Sequence, residues 1–420
     1  MQKSKPVKFI RDENMIKLPI QVGASIITHF VSAINFWRAQ GQPYRPLIID
    51  FSAVQKPYSN GMLPIIAMLN KLRQEGIKIN CRLPNDHNVA KLFIRTNWAH
   101  YLDEKQSFSK EGFDRHLHTR QFTDSREVGI LTNDFMGIVL RSMKIPKDIV
   151  SALEWSIYEI CDNVINHSES PIGGYVEAIT YSKEKLISFT VADAGKGILA
   201  SLKEGIPSLT TSTQAISEAL KEGVTRNKQF GQGNGLNGSL KITMLTGGSF
   251  DISSGNGRIV QTNHLIQPYE SKPDGYFRGT SVSGQIRMKE DFSIQSALKF
   301  NGVEYIPVNM IELNYELEDT DALRVDILKE SEAVGTRSAG KKLNFLIMNL
   351  MASKPDYPVI LNWEGIGIIS SSFADEFLGK LYVGIGEKKF NKIIRNANAT
   401  AVVGQLLSKA ISQRVEQNKS

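Results

Sequence analysis

Three short stretches carry side chains that could do chemistry together. In the first, EICDNVINHS, Glu159, Asn163 and His167 recur every four residues, so on a helix they share one face. Trp155, Ile157, Ile160 and Ile165 supply an apolar side for that helix, which leaves the acid, the amide and the imidazole on a polar edge. An Asn amide oxygen is a hard, neutral ligand suited to Mg²⁺, which keeps several waters and takes few protein ligands. A carboxylate one turn away can hold one of those waters or act as a general base toward it. A solvated helix face near its C-terminus would show the same residues.

The second stretch, VADAGKGI, follows the apolar run LISFTV. A buried strand would deliver Asp193 at its end, and Gly195 and Gly197 would permit a sharp turn and close approach to a flat ligand. A carboxylate there can accept a hydrogen bond from an exocyclic amine such as adenine N6; an ordinary Asp-x-Gly turn is the alternative. In the third stretch, FGQGNGLNGSLKI, Gly231, Gly233 and Gly235 alternate ahead of a helix expected to start near Leu236. Backbone N–H groups at such a terminus bind phosphate well. No G-K-[ST] follows, so this is not a Walker loop, and the G-x-G-x-G spacing is not the Rossmann fingerprint.

In this order the three stretches resemble the GHKL (Bergerat) ATP-binding fold of gyrase, the ATP-dependent chaperone, mismatch-repair proteins and histidine kinases, over roughly residues 130–290. The family's E-x-x-x-N box, with the His that follows in kinase-like members, matches Glu159, Asn163 and His167. Its D-x-G-x-G box matches Asp193, Gly195 and Gly197, and its second glycine box matches Gly231, Gly233, Gly235 and Leu236. Its late Gly-Thr matches Gly279 and Thr280, where the Thr assists adenine binding through a water. The resemblance implies ATP and Mg²⁺ as ligands, with Glu159 as the catalytic candidate and Asn163 on the metal. Residues 208–229 would form the ATP lid, in which Arg226 and Lys228 could reach the γ-phosphate or simply be solvated. None of His29, His87, His100, His116 and His118 has the context of a histidine-kinase phosphoacceptor, and His264 lies after the glycine boxes.

The elements that must position these residues flank them on both sides. LIIDF (47–51) reads as a buried strand, NGMLPIIAMLNKLRQEG as a helix, IKINCRL as a strand and NVAKLFIRTNWAHYL as one further helix. This alternation predicts a sheet with helices packed on it. It resembles a STAS domain, whose acidic-Ser-Ser-Gly loop survives here only as Tyr58-Ser59-Asn60-Gly61. Residues 359–381 repeat the plan of residues 47–69 without a gap: Asp50 falls on Asn362, Phe51 on Trp363 and Ser59 on Ser371. GTRSAGKKL and ISSSFADEFLGKL give the third block the look of a STAS-like domain of unknown function. Ser59 and Ser371 are candidate phosphoacceptors by that resemblance, with helix capping as the alternative for the serines at 370–372. Asp375 and Glu376 are expected in the first turn of that helix, where negative charge suits the dipole.

The expected architecture is multidomain α/β and α+β: a central GHKL α/β sandwich flanked by two STAS-like α/β domains. Its parts are a STAS-like domain over 1–105, a polar linker over 106–127, the GHKL ATPase domain over 128–290 and a STAS-like C-terminal domain over 291–420. The 420 residues carry 50 basic and 43 acidic side chains, scattered rather than striped, so nucleic acid is an unlikely partner. Two cysteines, Cys81 and Cys161, make neither a disulfide framework nor a Cys-rich zinc site and are expected as buried free thiols. The N-terminus has no signal-peptide pattern, and no apolar run approaches the roughly 18 to 20 residues of a membrane helix. A cytoplasmic location follows. The expected function is an ATP·Mg-dependent regulatory switch with slow hydrolysis. A serine kinase acting on a STAS domain and a non-catalytic nucleotide-gated scaffold are the alternatives. The STAS-like ends would contact protein partners or a second copy in a homodimer.

Overall fold

The computed structural model describes residues 10–12, 14–39, 46–103, 105–106, 108, 116–224, 233–305, 307, 310–318, 320–331 and 333–418. It is a mixed α/β protein with several sheets, and it divides into two compact units. One comprises 1–135 and 155–306, the other 136–154 and 307–420. The division falls inside two helices, Ser125–Ser142 and Lys147–His167, each of which starts in one unit and ends in the other. Among the described residues, no helix is long and apolar enough to cross a membrane.

In the larger unit a small sheet orders Ile10–Asp12, Met15–Lys17, Leu47–Asp50 and Ile79–Arg82, the last three mutually parallel. Helix Ser59–Gln74 follows the strand Leu47–Asp50, and its Leu63, Ile66 and Leu69 are fully buried. The expected single helix over 88–102 is two, His87–Arg95 and Trp98–Leu102, because Asn97 adopts a left-handed conformation (φ 64°) between them. The break lets Trp98 turn inward.

The same unit holds a seven-stranded sheet in which every neighbouring pair is antiparallel. Its order is Leu265–Glu270, Gly257–Thr262, Ser249–Gly255, Phe277–Arg287, Leu186–Asp193, Gly174–Tyr181 and His116–Phe122. The last strand lies in the segment that sequence reads as a linker. It buries two polar residues, His118 and Thr119, beside Leu117 and Phe122; Thr119 is fully buried and donates to Glu177 Oε2 at 2.7 Å. Glu177 also accepts from Trp98 Nε1 at 2.7 Å and from Ser59 Oγ at 3.0 Å. Three elements distant in sequence therefore meet on one buried carboxyl. Burial pushes it up to about 7 against the pull of these donors.

In the smaller unit, Leu323–Asp326, Val359–Asn362 and Ile394–Ala397 form a parallel three-stranded sheet, accompanied by helices Arg337–Ser353 and Ala401–Gln417. Asn349 is buried in it. Its Oδ1 accepts from Ile145 N–H at 2.9 Å, and its Nδ2 donates to the carbonyls of Leu140 and Met143 at 2.8 Å each. One amide thus satisfies three backbone groups of the turn that launches helix Lys147–His167. Asp375 and Glu376 stand in the first turn of a π-helical segment, Asp375–Gly379, that continues helix Ser371–Ala374, and Asp375 takes a bidentate pair from Arg414 at 2.6 and 2.8 Å. Cys161 is buried and Cys81 half-buried, both free.

The two repeated segments are built alike. Asp50 Oδ1 accepts from Ser52 N–H at 2.8 Å, and Asn362 Oδ1 from Glu364 N–H at 3.4 Å. Phe51 N–H donates to Arg82 O and Trp363 N–H to Ala397 O, both at 2.9 Å. Ser59 and Ser371 are each the first residue of the helix that follows.

Candidate functional site

Helix Lys147–His167 buries Trp155, Ile157 and Ile160 and presents Glu159, Asn163 and His167, all half-buried, to a cavity of about 340 Å³ in the larger unit. The ends of two paired strands supply a second wall, with Asp193 and Thr280 on it. The loop and helix start around Gly233, Gly235 and Leu236 supply a third, and Gly197 also lines the space. Nine of the residues picked out by spacing thus converge from segments that are far apart in the chain. Arg226, Lys228 and Gly231 lie outside the described residues.

Gly235 opens helix Gly235–Leu245 directly against the acid and the amide. A Cβ there would sit 2.7 Å from Glu159 Oε2 and 3.2 Å from Asn163 Nδ2. Two hydrogen bonds join this helix start to residues 220–223: Gly223 N–H donates to Asn234 Oδ1 at 3.0 Å, and Asn237 Nδ2 donates to Leu220 O at 2.7 Å. Part of the expected lid is a helix, Ser212–Ala219, with a capping box between Thr211 and Gln214 and an apolar face buried with Leu202 and Leu209.

Asp193 is fully buried around its backbone, and its Oδ1 accepts from Gly195 N–H at 2.7 Å; Thr280 N–H also donates to this carboxylate. Gly195 does not line the cavity. It lies against the carbonyl of Ser168, which a Cβ would overlap. Lys196 closes the same turn through ion pairs with Glu169, at 2.8 Å, and Glu204.

Burial raises two of the three acids that line the cavity, Glu159 and Asp193. Glu159 is pushed up to about 7 by desolvation and then by the negative charge of Asp162. Asp193 is pushed to about 7 by desolvation, opposed by its two backbone donors and by Lys71. A carboxyl that titrates near neutrality in a cleft is suited to taking and returning a proton.

Two lining residues lie beyond the sequence-derived boundary at 290. Phe300 and Tyr305 belong to a hairpin, Lys299–Phe300 paired with Val303–Glu304, held by Lys241, whose Nζ donates to Lys299 O at 3.3 Å and pairs with Glu222 at 3.2 Å. The Tyr305 hydroxyl is raised by burial and then by the negative charge of Glu159. No motif announces them; an aromatic pair downstream of a β-rich block was the only signal.

The candidate phosphoacceptors lie elsewhere. Ser59 is half-buried on Glu177, while Ser371 is exposed, next to Ser370, whose Oγ caps the helix by accepting from Phe373 N–H at 3.0 Å.

A family model described as a STAS-like domain of unknown function (DUF4325) matches residues 339–403. The second repeated segment, 359–381, falls within that match. No curated protein matches the chain.

Proposed function

We propose that the larger unit binds ATP with Mg²⁺ in this cavity and that the protein is a nucleotide-gated regulatory switch with slow hydrolysis. The observation that carries the reading is the convergence on one cavity of an acid–amide–imidazole helix edge, a strand-end carboxylate and a glycine-lined helix start. Asp193, held by the N–H groups of Gly195 and Thr280, offers an acceptor to an exocyclic amine. Backbone N–H groups at Gly233–Leu236, free of Cβ atoms at 233 and 235, suit phosphate oxygens. Asn163 is the residue that would hold Mg²⁺, with Glu159 one turn away toward one of the metal's waters; the ion supplies charge neutralisation on the phosphates when bound. Among the described residues no three His, Cys, Asp or Glu side chains group as a metal cage; one amide and one acid fit a metal that takes its other ligands from phosphate and water. Glu159, near neutrality in titration, can take the proton of an attacking water.

The smaller unit's match to a STAS-like domain, and the shared build of residues 47–59 and 359–371, support STAS-like modules at both ends whose work is contact with protein partners. A serine-kinase reading is favoured at one place only: Ser371 is exposed at a helix start, whereas the Ser59 hydroxyl is engaged by a buried acid.

Calorimetry with ATP and Mg²⁺ tests the ligand; no heat of binding at cellular ATP concentrations refutes the reading. Incubation with γ-labelled ATP then separates the outcomes. Free phosphate lost in Glu159→Ala marks a hydrolase, label retained on the chain marks a kinase, and neither marks a scaffold.

A further inference from the structure

The turn that carries Asp193 has a second side. Ala192 and Ala194 are fully buried, and the core that buries them is the one built by Ile65, Ile66 and Leu69 of helix Ser59–Gln74. From that helix Lys71 donates Nζ–H to the carbonyl of Ala194 at 2.7 Å. This peptide carbonyl lies between Asp193 and Gly195, the two residues whose mutual hydrogen bond orients the carboxylate. The partner strand is held from the same module. Ser32 Oγ donates to Asp274 Oδ2 at 2.7 Å and Asn35 Nδ2 to Asp274 O at 2.9 Å, just ahead of strand Phe277–Arg287, which carries Thr280.

Lys71 is half-buried, and burial pulls its ammonium down from the ordinary value; Glu75 at the end of its helix and Asp193 across the interface hold it up, while Arg278 and Arg38 oppose them. A methionine would fill the same space but could not donate to the Ala194 carbonyl.

We propose that Lys71 is a positioning residue for the nucleotide base, fixing the Ala194 carbonyl so that Asp193 faces the exocyclic amine, and that the N-terminal module is thereby part of the adenine site. The inference rests on the ATP reading above. It makes the module a sensor of the base as well as a contact surface: whatever shifts helix Ser59–Gln74 shifts Asp193, and nucleotide binding acts back on that helix with equal coupling.

The test is base discrimination by the full chain. ATP and ITP share phosphates and sugar, but ITP lacks the exocyclic amine. Displacement of a fluorescent nucleotide should show wild type preferring ATP about tenfold or more, the worth of one hydrogen bond to a charged group. Lys71→Met should lose most of that preference by weakening ATP while leaving ITP within about twofold, and Lys71→Arg should restore it. An unchanged ATP/ITP ratio in Lys71→Met overturns the proposal, as does an equal loss of both ligands, which marks a structural lysine. Wild type that binds neither nucleotide overturns the ATP reading itself. Should Lys71→Met fail to fold, wild-type hydrogen exchange decides: a non-hydrolysable ATP analogue should slow amides in 59–74, and no change there overturns the proposal.

Discussion

Gly235→Ala disturbs the placement of Glu159 first and touches Asn163 less. Gly235 is the first residue of its helix and is not among the glycines with positive φ, so alanine meets no backbone strain and gains helix propensity. Its Cβ would sit 2.7 Å from Glu159 Oε2, about 0.7 Å short of ordinary contact. The most obstructed atom is the end of a flexible side chain, and Asn163 Nδ2 and Glu159 Cβ, each at 3.2 Å, need give only a few tenths of an ångström, so the carboxylate swings aside at little cost to the fold. The melting temperature should stay level or rise by a degree or two. A displacement approaching 1 Å at a general base costs up to about 10²-fold in rate, so hydrolysis should fall about ten- to a hundredfold. ATP affinity, carried by the backbone N–H groups and Asp193, should change less than about threefold. Free-phosphate release and calorimetry on one preparation read both. Wild-type turnover in a well-folded Gly235→Ala would show that Glu159 is not the base, and a loss of affinity matching the loss of rate would show that residue 235 acts on the nucleotide itself.

Asn163→Ala should remove most of the Mg²⁺-dependent part of ATP affinity, about tenfold, and leave binding in EDTA unchanged; titrations with and without metal check this. Glu159 with its acid form favoured up to about 7 predicts hydrolysis that rises with pH through about 7 and then levels, because only the ionised form accepts a proton; a rate flat from about pH 5.5 to 8.5 opposes the base role. Asn349→Leu strands three buried backbone groups at Leu140, Met143 and Ile145, so urea unfolding should show a loss of about 3 to 5 kcal/mol. Glu177 holds its proton more tightly folded (to about 7) than unfolded, so it makes stability fall as pH rises from about 4.5 to 7; Glu177→Gln, whose amide can serve the same three partners, should remove a fall on the order of 3 kcal/mol in urea titrations across that window.

The candidate site was legible because its parts are local. Four-residue spacing fixes the face shared by Glu159, Asn163 and His167, and a strand-end Asp followed by glycines fixes a turn, whatever the rest of the fold does. What sequence missed depends on partners far along the chain. Residues 116–122 look like linker because two of their four buried positions, His118 and Thr119, are polar and no period-2 apolar alternation shows, and Glu177, which Thr119 bonds, stands on another strand. The break at Asn97 was hidden inside an amphipathic pattern, although it is what turns Trp98 onto the same carboxyl. Phe300 and Tyr305 carry no periodicity at all, since a two-by-two-residue hairpin is too short to show one.

The repeated segments show how one local plan acquires two roles. Both have a strand ending in Asp or Asn, a side-chain-closed turn and a helix that starts on serine. That much follows from their sequences, which agree at those positions. Their fates differ because of what the first helix turn meets. At Ser59 it meets Glu177, and the same helix carries Lys71 to Ala194, so the module is welded to the sheet that bears Asp193. At Ser371 the hydroxyl is exposed, and charge is gathered behind it by Arg414 on Asp375. A buried acid facing the serine makes the first copy unsuited to accept a phosphoryl group, because a dianion there would face Glu177 in a medium of low dielectric. The same geometry suits it to hold the turn that bears Asp193. The second copy retains an accessible serine, and among the described residues no carboxyl is bonded to it. Duplication of one module, followed by burial of one copy against the sheet that bears Asp193, would give the chain one serine engaged by a buried acid and one that remains open to be acted on.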